Sequence, residues 1–196
     1  MTQYLLGFGA SSMQGVGDSQ GGFFRRLEQR YAASGVYRFT NAGLGGNTTR
    51  DMLQRLPGLT LPPDILIVLL GCNDLPRAAD PCPQNRIPLA EYRENLIKIF
   101  SALKAPRSLF ISSFLPSEEL TGVSLATFEP YMAAATDLAR QAGYEIWDLF
   151  HETKHTTAPL LAADGMHFND AGHAFLADRI REWLTQGKIT AETVTP

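Results

Sequence analysis

The chain predicts an α/β protein built on a parallel, doubly wound sheet, and two observations carry that expectation. Asp64-Ile65-Leu66-Ile67-Val68-Leu69-Leu70 is continuously apolar and rich in β-branched residues, the pattern of a central parallel strand covered on both faces. Segments of strand character alternate with segments of helical spacing along the chain, as a succession of βαβ units requires. No internal repeat, low-complexity tract or linker interrupts the alternation, so residues 1–196 read as one domain, with 187–196 as a loose tail.

The elements follow in order. Tyr4 to Gly9 reads as a short buried strand that runs into a small-residue turn, Ala10-Ser11-Ser12. Phe23, Phe24, Leu27 and Tyr31 recur at helical spacing, and Gly35 closes that helix. Val36 to Thr40 alternates as a second strand and gives way to Asn41-Ala42-Gly43-Leu44-Gly45-Gly46-Asn47. Thr48 or Thr49 caps a helix carrying Met52, Leu53 and Leu56, which Pro57-Gly58 stops. The third strand ends at Gly71-Cys72-Asn73-Asp74. After a proline-rich loop, Pro76 to Pro88, comes a helix with Tyr92, Leu96, Ile99, Phe100 and Leu103. A fourth strand spans Ser108 to Phe114, a helix runs from about Phe128 to Gly143, and Tyr144 to Phe150 reads as the fifth strand. Asn169 or Asp170 caps a last helix with Phe175, Leu176, Ile180, Trp183 and Leu184 inward.

Composition removes several function classes. At 196 residues and 44% apolar content the chain is long enough for a full core. Its net charge is −3 and Lys and Arg form no run, so the basic stripe of a nucleic-acid binder is missing. No stretch approaches the roughly 18 apolar residues of a membrane helix. Met1 to Gly7 lacks the basic region and apolar length of a signal peptide, which predicts a cytoplasmic protein. Cys72 and Cys82 show neither CxxC spacing nor a histidine partner, so neither a zinc site nor a disulfide framework is expected.

Right-handed crossovers place every strand's C-terminal end on one rim of the sheet. Ser11, the Gly45-Gly46-Asn47 turn and Asn73 follow strands on that rim, and the Asp164-Gly165-Met166-His167 loop joins them there. Asp164 and His167, three residues apart with a glycine between, can face the same way on one short loop. The acid then fixes the imidazole tautomer and leaves the other ring nitrogen free to take a proton. Taken alone, that pattern better fits a turn whose Asp bonds its own backbone, with a solvent-facing His. Ser11 supplies the missing nucleophile: a hydroxyl exposed at a strand-to-turn break, with His167 to remove its proton. Ser12 is the second candidate. The oxyanion of an acyl-transfer intermediate needs donors, and the Ser11 N–H, the Gly46 N–H and the Asn73 side-chain amide can supply three. Gly46 suits that task because nothing on its Cα blocks a substrate.

A nucleotide-binding reading starts from the same turn, because Gly7-Phe8-Gly9-Ala10-Ser11-Ser12 approaches a dinucleotide fingerprint. It lacks two required features. Ser12 stands where the third glycine belongs, and the second strand ends in Thr40-Asn41 rather than in an acid.

The chain resembles the SGNH hydrolases, also called GDSL esterases or lipases, through four short blocks in order from residue 9 to residue 167. Gly9-Ala10-Ser11-Ser12 is similar to the nucleophile block, Gly45-Gly46-Asn47-Thr48 to the glycine block, Gly71-Cys72-Asn73-Asp74 to the Gly-x-Asn-Asp block, and Asp164-Gly165-Met166-His167 to the Asp-x-x-His block. The resemblance implies a flavodoxin-like, three-layer α/β/α fold with a five-stranded parallel sheet. It implies Ser11 as nucleophile, His167 and Asp164 completing the triad, and Ser11, Gly46 and Asn73 as oxyanion donors. One position departs from the family pattern: Ala10 stands where an Asp usually precedes the nucleophile, and Ser12 replaces the following Leu.

These readings predict a serine hydrolase that cleaves a small carboxylic ester through an acyl-enzyme, with no metal or organic cofactor. Acyl transfer to an alcohol, thioester hydrolysis by the same triad, and a non-catalytic ligand-binding module are the alternatives. Leu75, Leu115 and Met166 lie beside the site and are expected to form an apolar wall for the acyl group. Loops Pro76–Pro88 and Pro116–Glu129 leave the same rim and are expected to shape the pocket. His151 and His155 are expected in a polar loop, and His173 in the first turn of the last helix.

Overall fold

The structure, a computed structural model, describes residues 1–76, 86–155 and 158–186. Cys82, most of the Pro76–Pro88 loop and the tail after residue 186 lie outside the described residues. Five strands, β1 (Gln3–Gly9), β2 (Tyr37–Gly43), β3 (Ile65–Leu69), β4 (Arg107–Ile111) and β5 (Glu145–Trp147), form one parallel sheet in the order β2-β1-β3-β4-β5. This is the flavodoxin-like order, and it reverses direction at β1 and β3, where such sheets open a crevice beyond their strand ends.

Strand alternation sorts the core into two halves. Leu6, Phe8, Leu66, Val68 and Phe110 point to one face and pack with Met52 of α3 (Thr49–Arg55), Leu96 of α4 (Leu89–Ala102) and Phe128 of α6 (Leu125–Gln141). Leu5, Ile65, Ile67, Leu69 and Leu109 point to the other. They pack with Phe23 and Leu27 of α2 (Gly22–Tyr31) and Leu176, Ile180 and Trp183 of α8 (Asp170–Gln186). The result is the three-layer α/β/α arrangement expected. Every side chain of β3 is at most 3% exposed, which is why this strand alone was apolar without a break. Among the described residues no helix is long and apolar enough to cross a membrane.

Boundaries shift where a side chain competes with the strand ladder. β2 continues through Asn41-Ala42-Gly43, read from sequence as turn, because its pairing with β1 runs on to Gly9↔Gly43. β4 stops at Ile111 and β5 at Trp147, both short of expectation. Ser112 Oγ donates to Asp148 Oδ1 (3.2 Å) and accepts from Phe150 N (2.9 Å), and Asp148 caps a short helix, α7 (Leu149–Thr153). His151 therefore lies in a helix, its Nδ1 2.8 Å from Asp148 Oδ2, and not in a loop. α6 begins at Leu125, three residues early, capped by Ser124. Of the two capping alternatives, Thr48 caps α3, with Asp51 closing a capping box. Asn169 caps α8 by accepting from Gly172 N (3.0 Å).

Candidate active site

The Ser11 turn is helical. A four-residue helix, α1 (Ser11–Gln14), starts directly after β1, with Ala10 at its cap position and no side-chain bond there. Ser11 C=O accepts from Gly15 N (2.9 Å) and Val16 N (3.0 Å). Its N–H, at the first helical position, has no partner within the helix. Ala10 is 8% exposed and packs on the same side as Phe8, so the position that carries an Asp in the resembled block is here part of the apolar core.

The glycine turn lies against α1. Gly45 N donates to Gln14 Oε1 (2.7 Å), and a Cβ on Gly45 would meet that same oxygen at 2.9 Å and the Ser11 Cβ at 3.7 Å. Gly46 has φ +77° and open space around its Cα. Gly45 N–H and Asn47 N–H are both engaged, and Gly46 N–H between them has no partner among the described residues. Glycine is thus required here by backbone conformation as well as by access.

Asn73, half-buried after β3, donates from Nδ2 to Asn47 C=O (2.9 Å). An amide carries two donors, so one holds the glycine turn and the second remains for the cleft. Asp74 beside it is fully buried, accepting from Thr49 N (2.9 Å) and Thr49 Oγ1 (2.5 Å). Burial pushes its carboxyl up to about 7, against the opposing effect of the Thr49 donors. Asn73 and Asp74 together bind the end of β3 to the start of α3, and hence to the turn that carries Gly46.

His167 and Asp164 meet as the spacing predicts. His167 Nδ1 lies 2.6 Å from Asp164 Oδ2, while Asp164 Oδ1 accepts from Met166 N (2.9 Å) and His167 N (3.0 Å). Partial burial pushes the Asp164 carboxyl up, but the bonds from His167 and the two N–H groups outweigh it and hold it below the usual carboxylate range. An ionised carboxylate only accepts, so Nδ1 is the donor in this bond and Nε2 is the ring nitrogen left for another partner. The backbone-bonded turn and the acid–imidazole pair are therefore one structure, not alternatives.

Three contacts join the imidazole loop and the start of α8 to residues 16–23, the segment that follows α1. A Cβ on Gly17 (φ +95°) would fall 2.1 Å from Phe168 O and 3.3 Å from His167 Cβ, so only glycine fits there. His173, fully buried on α8, joins its Nε2 to Val16 O (3.0 Å) and accepts from Phe23 N (3.2 Å) at Nδ1. Asp170 accepts from Ser19 N (2.8 Å) and Ser19 Oγ (2.5 Å). Among the described residues Ser11 Oγ makes no hydrogen bond; such bonds often form only once substrate is bound.

Ser11, Ser12, Cys72, Asn73, Ser113 and Met166 line one cleft near the ends of β1, β3 and β4. Of the expected apolar wall, Met166 lines this cleft. Leu75 instead lies in the core, 1% exposed, and Leu115 packs half-buried against the core. Arg55 is a residue the sequence reading missed. Its guanidinium donates to Gly9 O (3.0 Å) and Ala42 O (2.8 Å), bracing the ends of β1 and β2 under both turns, and its buried Nε has no hydrogen-bond partner among the described residues. Its helical position inside α3 gave no local signal of that reach.

Similarity to known proteins follows the same geometry. The sequence model of the GDSL-like lipase/acylhydrolase family matches residues 8–175. An isoamyl acetate-hydrolyzing esterase of Schizosaccharomyces pombe is 29% identical over 152 residues, covering 70% of this chain and 58% of that protein. The aligned part thus spans less than two thirds of that relative's length. A lipase/acylhydrolase from Enterococcus faecalis superposes with a TM-score of 0.79 at 23% identity, covering 97% of this chain and 99% of that one. A W215I variant of Axe2, an acetyl xylan esterase from Geobacillus stearothermophilus, superposes with a TM-score of 0.73 at 21% identity, covering 99% and 97%. These two likenesses concern the fold. The family match spans all four blocks, and the chain belongs to the GDSL-like lipase/acylhydrolase family.

Proposed function

We propose that the protein is a serine esterase that cleaves carboxylic esters through an acyl-enzyme. The observation that supports this most is the Asp164–His167 pair, with its proton on Nδ1, on a loop that packs against Gly17 and whose Met166 lines one cleft with Ser11. In this reading His167 Nε2 takes the Ser11 proton as Oγ attacks the ester carbonyl. The Ser11 N–H, the Gly46 N–H and the second Asn73 N–H stabilise the oxyanion. His167 then returns the proton to the leaving alcohol, and water repeats the sequence to release the acid. The chemistry needs no metal or organic cofactor. Two of the three similar proteins are named for acetyl esters, isoamyl acetate and acetyl xylan, which supports a short acyl group as the substrate class.

A fluorophosphonate probe tests the assignment, with mass spectrometry of the labelled peptide. The adduct is expected on Ser11, and Ser11→Ala should lower kcat by about 10⁴–10⁶, as in other triad enzymes, while Ser12→Ala costs far less. An adduct on Ser12 overturns the choice of nucleophile. No adduct, together with no hydrolysis of short esters, leaves the non-catalytic module. Added alcohol that captures the acyl group at the expense of acid release identifies a transferase.

A further inference from the structure

We propose that Arg55 is a positioning residue for catalysis: its guanidinium fixes the spacing of the Ser11 and Gly46 N–H groups by clamping the two strand ends from which their turns leave. The inference rests on those groups being oxyanion donors to a Ser11 nucleophile.

The two donors stand on separate turns. Ser11 lies two residues beyond Gly9, the last residue of β1, and Gly46 lies three beyond Gly43, the last of β2. Gly9 and Gly43 face each other as the final pair of the ladder. Both are glycine, the residue with the most backbone freedom to lose, so the pairing is least restrained where the turns begin. The far end of α1 has its own anchors: Asn41 Nδ2 donates to Met13 O (2.8 Å), and Gly45 N donates to Gln14 Oε1 (2.7 Å). The near end, where Ser11 stands, has no such anchor of its own, because Ala10 makes no side-chain cap bond.

Arg55 supplies the restraint at that end. Its Nη2 donates to Gly9 O (3.0 Å) and its Nη1 to Ala42 O (2.8 Å), one carbonyl from each strand. Its Cζ lies 4.8 Å from the centroid of the Phe8 ring, which is fully buried. A planar fork of fixed N–H directions holds two carbonyls at a set separation; an ammonium on a flexible stem does not. Arg55 is itself held by α3. That helix starts at the Thr48 capping box, directly after the Gly46–Asn47 turn, and its Thr49 is bonded to the buried Asp74 next to Asn73. One seven-residue helix thus ties together the segments that carry all three donors. Stability alone does not account for an arginine here. Both acceptors are neutral carbonyls, Nε is buried without a hydrogen bond among the described residues, and burial pulls the guanidinium pKa below its usual value. An apolar side chain of similar length avoids that desolvation.

The test is steady-state kinetics on a short ester, with Tm and the Ki of a trifluoromethyl ketone measured for each variant. Ser11 Oγ adds to the ketone carbon, its proton passes to His167, and the carbonyl oxygen becomes an oxyanion, so Ki reads the donors directly. Arg55→Met keeps the stem and should lower kcat by about 10–100-fold, less than loss of a whole donor, with KM little changed. The ketone Ki should rise by the same factor. Arg55→Lys keeps the charge without the fork and should lose about as much; it carries the test alone if the methionine variant does not fold. Unchanged kcat in Arg55→Lys overturns the clamp. A loss confined to KM overturns it, as does a lower Tm with kcat per folded molecule and Ki unchanged, which leaves Arg55 a plain brace. In each of these outcomes fluorophosphonate still labels Ser11. Failure of Ser11 to label in the unmodified protein removes the nucleophile assignment and this inference with it.

Discussion

Asn73 is the residue at which catalysis and stability can be separated most cleanly. Its side chain has two N–H donors: one is engaged with Asn47 C=O at 2.9 Å, and the other is assigned to the oxyanion. Asn73→Ala removes both. Loss of the Asn47 bond costs about 1 kcal/mol, the usual net worth of a hydrogen bond, which for a chain of this size lowers Tm by roughly 2–4 °C. Loss of the oxyanion donor costs about 10²–10³ in kcat with KM little changed, because that interaction strengthens only in the transition state. Asn73→Asp keeps the shape and inverts the electrostatics. A carboxylate then faces both the Asn47 carbonyl and the developing oxyanion, so kcat and Tm should each fall below the alanine values. Steady-state kinetics on a short ester, corrected for folded fraction by circular dichroism, gives both quantities for each variant. An Asn73→Ala protein that melts early yet keeps its kcat per folded molecule refutes the oxyanion role and leaves only the tie to the glycine turn.

Two other outcomes are expected. Asp164→Asn keeps the Nδ1 contact but favours the wrong tautomer, so kcat should fall by about 10⁴, with little change in the mass-spectrometric site of labelling; near-full activity would remove Asp164 from the triad. Asp18 is governed by burial, which raises its carboxyl, and by the opposing bonds from Arg26 (2.6 and 2.8 Å) and Gly22 N (2.8 Å), which win and bring it from 3.8 down to about 2. Because the folded value lies below the unfolded one, its stabilisation is full above pH 4 and disappears as pH falls toward 2. Tm measured from pH 5 to pH 2 should drop more steeply in the native protein than in Asp18→Asn, and parallel curves would show that the Arg26 pair contributes nothing.

The sheet and the four site blocks were legible in the sequence because each depends on local chemistry. A strand buried on both faces must be apolar without interruption, as Ile65–Leu69 is, and an acid three residues before a histidine closes its own loop, as Asp164 and His167 do. The short helices α1 and α7 and the brief α5 (Glu118–Thr121) were not legible, since four or five residues are too few to display a period. Nor were the ends of β4 and β5, where Ser112 and Asp148 bond each other across 36 residues of sequence.

What holds the site together is decided by contacts between distant segments. Arg55 reaches Gly9 and Ala42, Asp74 reaches Thr49, His173 reaches Val16, and Gly17 admits the backbone of Phe168. Nothing near these residues in sequence marks the partner, because a hydrogen bond or a close approach depends on where the fold has put the other group. The sequence by itself determined the α/β class and the candidate residues of the site, through side-chain periodicity and short-range spacing. Only the tertiary structure decided that Ser11 and Met166 line one cleft, that the histidine loop packs on Gly17, and that Leu75 belongs to the core. Each of those depends on elements far apart in the chain being packed into one volume.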